Sequence, residues 1–145
     1  MRGASGDGTT STALPRQPGL GEPGAGNAFA EYLGLRWDDP WTVRLPVRPE
    51  LLNENGLLLG PVGFALVDYS MGAALWRETV EGELIATINI AINYIQGAGD
   101  GDILCRARLD RRNRRIAVLS AETKHEDGRL LATAVGSFSI YKAKR

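Results

Sequence analysis

One acidic side chain set in the middle of an apolar segment is the chemically conspicuous feature of this 145-residue chain. Residues 53–76 read NENGLLLGPVGFALVDYSMGAALW, and Asp68 is the only charged residue between Val62 and Trp76. Burying a carboxylate without partners is costly, so an acid placed there points to a site. Its chemistry would be that of a general base towards water or of a nucleophile. Eight residues earlier stands Gly60. If a helix begins there, its amide proton has no intrahelical acceptor and can polarise a carbonyl oxygen. One such donor is worth about 3 kcal/mol to a transition state. An acyl carbon must lie close to both groups at once, yet eight residues of helix hold them about 12 Å apart. Two antiparallel helices would set Gly60 of one copy opposite Asp68 of the other. The spacing therefore predicts a homodimer with two equivalent interface sites, open to further pairing into a homotetramer.

A helix must carry these groups. Pro61 suits its first position, because its fixed φ is helical and the proton it lacks would have had no acceptor. Val62, Ala65, Leu66, Tyr69, Ala73 and Trp76 form a stripe at 3/4 spacing, and Phe64, Val67, Met71, Ala74 and Leu75 fill most of the other side. Such a helix is expected to be enclosed on all sides. Gly63 and Gly72 each cost about 1 kcal/mol against Ala, which predicts close approach of another backbone at both. Asp68 at the centre argues against a membrane span.

Around this helix, residues 1–26 are rich in Gly, Ser, Thr and Pro and are expected to form a disordered tail, leaving 27–145 as one domain. Asn27 should cap a short helix over AFAEYL, with Phe29, Tyr32 and Leu33 inward and Gly34 as its stop. Residues 35–47 read as extended around the turn-like DDP. After the long helix, Leu84–Ile95 alternates, placing Leu84, Ala86, Ile88, Ile90, Ile92 and Tyr94 on one face. The loop GAGDGD, the turn RRNRR and an Asp127-Gly128 hairpin separate three further strands, the last from Leu130 to Tyr141. Short connections favour an antiparallel sheet, and a helix this apolar needs a curved one around it. The expected fold is α+β: a hotdog roll, a curved antiparallel sheet wrapped around one long central helix.

Several chemistries drop out. Lys plus Arg and Asp plus Glu are equal at 17 each, so no global field favours nucleic acid or an anionic membrane. The lone Cys105 allows no internal disulfide, which fits a cytoplasmic setting, and a single histidine leaves no His/Cys cluster for zinc. Ser70 lies inside the helix, not on a strand-to-helix elbow, and His125 in KHEDGR is expected to be a solvated turn residue. Arg106, Arg108, Arg111, Arg112, Arg114 and Arg115 concentrate charge around one hairpin. That cluster is either a solvated turn or a landing site for phosphates.

RPELLNENGLLLGPVGFALVDYSMGAALW, TINIAINYIQGAGDGD and the closing LLATAVGSFSIY together resemble the PaaI-like hotdog thioesterases of the phenylacetyl-CoA and hydroxybenzoyl-CoA type. The resemblance implies hydrolysis of an acyl-CoA to acid and free coenzyme A, with no cofactor beyond the coenzyme A of the substrate. It implies that Asn53, Gly60 and Asp68 correspond to the family's Asn, the first Gly of its His-Gly-Gly turn and its helix acid. Leu59 and Pro61 then flank the substrate, and Arg106, Arg108, Arg111, Arg112 and Arg114 receive the coenzyme A phosphates. Leu59 stands in place of the family's His, Pro61 in place of its second Gly, and Gly72 where Ser or Thr is common. The alternative the substitution at Leu59 raises is an acyl-CoA-binding or sensing protein that has lost turnover.

Overall fold

The computed structural model describes residues 27–144, and the tail expected over 1–26 lies outside the described residues. The elements in chain order are α1 (Ala28–Leu33), β1 (Arg36–Asp39), β2 (Thr42–Pro46), a short 3-10 turn (Pro49–Leu51), α2 (Gly60–Trp76), β3 (Glu83–Tyr94), β4 (Asp102–Arg112), β5 (Ile116–His125) and β6 (Leu130–Lys142). The strands form one six-stranded sheet in the order β1-β2-β4-β5-β6-β3, with every neighbouring pair antiparallel. β3 thus passes over its sequence neighbour to the far edge, and the loop after it brings the chain back to β4. The curved sheet packs around α2 as the hotdog expectation requires.

Local chemistry sets the helix ends. Asn27 Oδ1 accepts the Ala30 amide at 3.1 Å, and Gly34 ends α1 at φ 73°, where an L side chain would be strained. Ala30 and Leu33 face inward, while Phe29 and Tyr32 are exposed, so the inward face of α1 is narrower than its sequence suggests. Tyr69 Oη donates to Asn27 Oδ1 at 2.9 Å and ties α1 to α2.

α2 is enclosed on most of its circumference, not all of it. Leu66, Val67, Met71, Ala74 and Leu75 are fully buried against Ile103, Cys105, Leu119 and Phe138 of the sheet, and each large apolar side chain buried this way contributes roughly 1.5–3 kcal/mol. Phe64 is 41% exposed, however, and Pro61, Phe64, Asp68 and Gly72 line up at helical spacing as one open stripe. Among the described residues the expected close backbone approaches are absent. A Cβ on Gly72 would meet nothing within 4 Å, and one on Gly63 would meet the Tyr94 ring at 3.3 Å. The tight packing between helix and sheet falls at Gly136 of β6, where a Cβ would lie 2.8 Å from Met71 Sδ.

β3 also departs from strict alternation. Its register on β6 slips between Thr87 and Asn89, so Ile88 is the extra residue of a β-bulge. Ile85, Ile90 and Ile92 pack on the core, while Ile88 is 56% exposed. The predicted common face of Leu84, Ala86, Ile88, Ile90, Ile92 and Tyr94 is therefore split, and Thr87 turns towards α2.

Candidate active site

The turn entering α2 is fixed by backbone bonds. Leu59 N–H donates to Leu51 O at 2.9 Å, and Leu58 N–H donates to Ala98 O at 2.8 Å. The Leu59 carbonyl in turn accepts from Val62 and Gly63. Gly60 opens the helix, Pro61 follows without a proton, and the Gly60 amide makes no backbone hydrogen bond among the described residues. That free donor lines a cavity of about 300 Å³ between the helix entrance, the end of β3 and the inner sheet face. Leu57, Leu58, Ile95, Ile103 and Leu131 supply most of the cavity's apolar wall. Asn53, Leu59 and Gly60 all line it, which brings three of the sequence-predicted site residues together.

Asn53 has a definite task. Its Oδ1 accepts from the amides of Asn55 at 2.9 Å and Leu57 at 3.1 Å, closing an Asx-type turn that shapes the loop before Gly60. This leaves its amide NH₂ as the part able to donate to a ligand. The two loops at the cavity mouth then meet backbone to backbone, because a Cβ on Gly99 would lie 2.5 Å from Gly56 O.

Asp68 lies elsewhere along α2. It is half-buried on the open stripe, and its Oδ1 accepts a hydrogen bond from Thr87 Oγ1 at 2.8 Å. The helix rise separates it from Gly60 by about 12 Å, so one chain does not bring the acid to the free amide. Asp68 does not line the cavity. Thr87 was missed in the sequence because the apolar face predicted for β3 was the one that carries Leu84 and Ala86, whereas Thr87 shares the α2 side with Ile85, just before the bulge, and is exposed at its edge.

Tyr94 is the second functional group that alternation does not single out. Its hydroxyl donates to Gly60 O at 2.6 Å, and its ring lies against Gly60 and Gly63 at the cavity mouth. Its partial burial raises the pKa of this phenol further above its ordinary value, so it is a protonated donor at neutral pH with margin.

The arginines do not form one patch. Arg106 and Arg108 project from β4, with Arg106 near Asp39 at 3.7 Å and Arg108 bonded to Asp110 at 2.6 Å. Arg112 is committed to structure: it grips both oxygens of Glu83 at 2.8 and 2.7 Å and donates to the Glu78 carbonyl beyond α2. Arg111, Arg114 and Arg115 are exposed around the β4–β5 turn. At about 3.4 Å per residue that turn lies roughly 27 Å along β4 from Ile103 at the cavity. Nor is His125 a solvated residue. It is 7% exposed, bonded through Nε2 to Asp100 O at 3.0 Å and through Nδ1 to the Asp127 amide at 3.1 Å. Burial opposes its protonation, but the Asp100 carbonyl and the Asp127 carboxylate outweigh this and raise its pKa. Among the described residues no group of His, Cys, Asp and Glu could hold a metal ion, and no helix is long and apolar enough to cross a membrane.

Known proteins share this fold. A conserved protein of Pseudomonas aeruginosa, PA5202, is 33% identical, with 79% of this chain and 94% of that chain covered and a TM-score of 0.72. A phenylacetic-acid-degradation-related protein of Ralstonia eutropha JMP134, provisionally assigned as a thioesterase, is 26% identical over 78% of this chain and 89% of its own, with a TM-score of 0.71. The BH2602 protein of Bacillus halodurans, solved with coenzyme A, shares the fold at 22% identity, a TM-score of 0.75 and coverage of 78% and 75%. Residues 55–132, from the turn before α2 to the start of β6, match the thioesterase superfamily, and the chain belongs to that family.

Proposed function

We propose that the protein hydrolyses an acyl-CoA thioester to a carboxylic acid and free coenzyme A, as a cytoplasmic homodimer whose sites lie between subunits. The observation that carries this is the Gly60 amide, without an acceptor, at the mouth of an apolar cavity. A donor so placed meets the charge that develops on a thioester oxygen. Family membership supports thioester hydrolysis, and the coenzyme A in the Bacillus halodurans structure supports that class of thiol.

The missing acid comes from a second copy. The stripe of Pro61, Phe64, Asp68 and Gly72 lies on the open side of α2, and β3 forms a free sheet edge. Antiparallel pairing across these features would cover Phe64 and set Asp68 of one chain against Gly60 of the other. Water then attacks the thioester carbon as Asp68 takes its proton, the oxyanion faces the Gly60 N–H, and the carbon–sulfur bond breaks. The thiolate leaves with a proton, giving acid and thiol. Direct attack by Asp68 and hydrolysis of the resulting anhydride gives the same products without a cofactor. Tyr94 supplies a hydroxyl at the turn where Leu59 offers none. The same pairing carries the end of one α2, and the Arg111–Arg115 turn that Arg112 ties to it, towards the other chain's cavity mouth. There Arg111, Arg114 and Arg115 would meet the coenzyme A phosphates.

Free-thiol release over short, long and aromatic acyl-CoAs tests this, with wild type beside Asp68→Asn. Turnover of at least one thioester that falls at least a hundredfold in the variant is expected; unchanged turnover would sink the mechanism. Leu59 at the turn favours one other reading, an acyl-CoA-binding protein, for which binding without release in the wild type would be the signature.

A further inference from the structure

Gly60 is the first residue of α2 and stands immediately before Pro61. A proline disfavours the helical conformation of the residue before it and pushes that residue towards the extended region. Glycine, with no Cβ, has the most freedom to follow. The Gly60 N–H shares one peptide plane with the Leu59 carbonyl, which accepts from the Val62 and Gly63 amides only while Gly60 stays helical. If Gly60 became extended, that plane would leave the helix end and carry the N–H away from the cavity.

The next peptide plane carries the Gly60 carbonyl, and Tyr94 holds it. The phenol donates to Gly60 O at 2.6 Å. Its ring covers the side where Gly60 and Gly63 lack side chains: a Cβ on Gly60 would lie 3.8 Å from Tyr94 Cζ, and one on Gly63 would lie 3.3 Å from Tyr94 Cε1. Tyr94 is itself anchored, because it pairs with Ala132 of β6 at the end of β3 and the Ile95 amide that follows donates to Leu131 O at 2.8 Å. The sheet therefore reaches the helix entrance through one side chain, at the residue whose amide is free.

We infer that Tyr94 is a positioning residue for the oxyanion donor: by pinning the Gly60 carbonyl and closing its ring over Gly60 and Gly63, it keeps Gly60 helical against the bias of Pro61 and keeps the Gly60 N–H aimed into the cavity. This rests on the proposal that this N–H receives the thioester oxygen. Tyr94 acts through Gly60 and not on the reacting atoms. Its hydrogen bond is exposed, so its worth to folding is small. A misaimed donor weakens the interaction that grows as charge develops on the oxygen, so loss of the hydroxyl should fall on turnover and not on binding.

The test compares wild type with Tyr94→Phe, which keeps the ring and removes the hydroxyl. Thiol release from hexanoyl-CoA and phenylacetyl-CoA should show kcat lowered about tenfold with KM within about twofold. The second readout uses ketone analogues of the same two thioesters, with a methylene in place of sulfur and carbon-13 at the carbonyl. In wild type at least one bound ketone should resonate downfield of its position in water, and the variant should lose about half of that shift or more. Unchanged kcat, a loss carried by KM, a ketone shift that survives the substitution, failure of both ketones to bind, or a melting midpoint lowered by more than about 8 °C, which is more than one exposed hydrogen bond accounts for, would each overturn the inference. The two claims separate cleanly. A Tyr94-dependent ketone shift in a wild type that releases no thiol would uphold the positioning role and remove hydrolysis, whereas thiol release indifferent to Tyr94→Phe would do the reverse.

Discussion

Replacing Thr87 by Val probes the link between the β3 bulge and the acid on α2. The substitution keeps the side-chain shape but removes the hydroxyl that donates to Asp68 Oδ1 at 2.8 Å. A hydrogen bond to a charged group is worth about 1.5–3 kcal/mol, and this one is exposed, so a value near the lower bound applies. If the bond holds the carboxylate in its working orientation, kcat/KM should fall by about tenfold, the equivalent of about 1.4 kcal/mol. Thr87→Ser, which restores the donor, should recover most of the loss. Stability should move by less than about 0.5 kcal/mol, because the site is at the surface. The assay is thiol release under kcat/KM conditions, measured for Thr87→Val in the wild-type and Asp68→Asn backgrounds. Coupling requires that the tenfold effect vanish when the carboxylate is already gone. An equal loss in both backgrounds, or no loss in either, would refute the positioning role of Thr87.

Two further outcomes concern the scaffold. Gly72→Ala should raise the stability of the subunit by about 0.5–1 kcal/mol in urea denaturation, since a methyl there meets nothing within 4 Å and alanine is the better helix former. The same variant should keep its oligomeric state on a sizing column if the paired helices leave that space open. Glu83 has its pKa lowered below 4.5, first by the Val80 amide and then by Arg112, against the opposing effect of burial. A depressed carboxylate pKa adds stability that is fully present above about pH 4.5 and lost as pH falls through the folded value. Wild-type melting temperatures should therefore drop in that acid range, with a shallower drop in Glu83→Gln.

The elements whose cause is local were legible in the sequence. Pro61 marks the start of α2, Asn27 caps α1, and Asp127-Gly128 makes the last hairpin, because each acts on its own few residues of backbone. The open side of α2 was not legible: Phe64 is as apolar as Val67, and only the course of β3 decides which of them meets solvent. The bulge at Ile88, which brings Ile90 and Ile92 to the same side as Ile85, was hidden for a related reason, as its cause is pairing with β6 and not any residue pattern within β3. His125 reads as polar among polar neighbours, yet Asp100 and Asp127 fold over it from two loops. Of the residues expected in the site, Gly60 follows from the helix start and Asn53 and Leu59 from the family resemblance, and all three line the cavity because one turn holds them together. Thr123 and Tyr94 reach the same cavity through strand pairing across the sheet, which no local spacing records.

The contact between Gly56 and Gly99 divides the labour of the pocket. At its mouth the main chain at Gly99 lies against the Gly56 carbonyl with no room for a side chain on Gly99, so substitution there displaces the two loops and endangers the seat of the Gly60 amide. At its floor, by contrast, Ile103, Thr123 and Leu131 project from strands whose backbone is held by the sheet, so a change of side chain there alters the cavity wall while the ladder keeps the backbone in place. Drift in substrate preference is thereby channelled to the floor. On the proposed function, the end that breaks the bond would stay constant while the end that reads the acyl arm remains free to change.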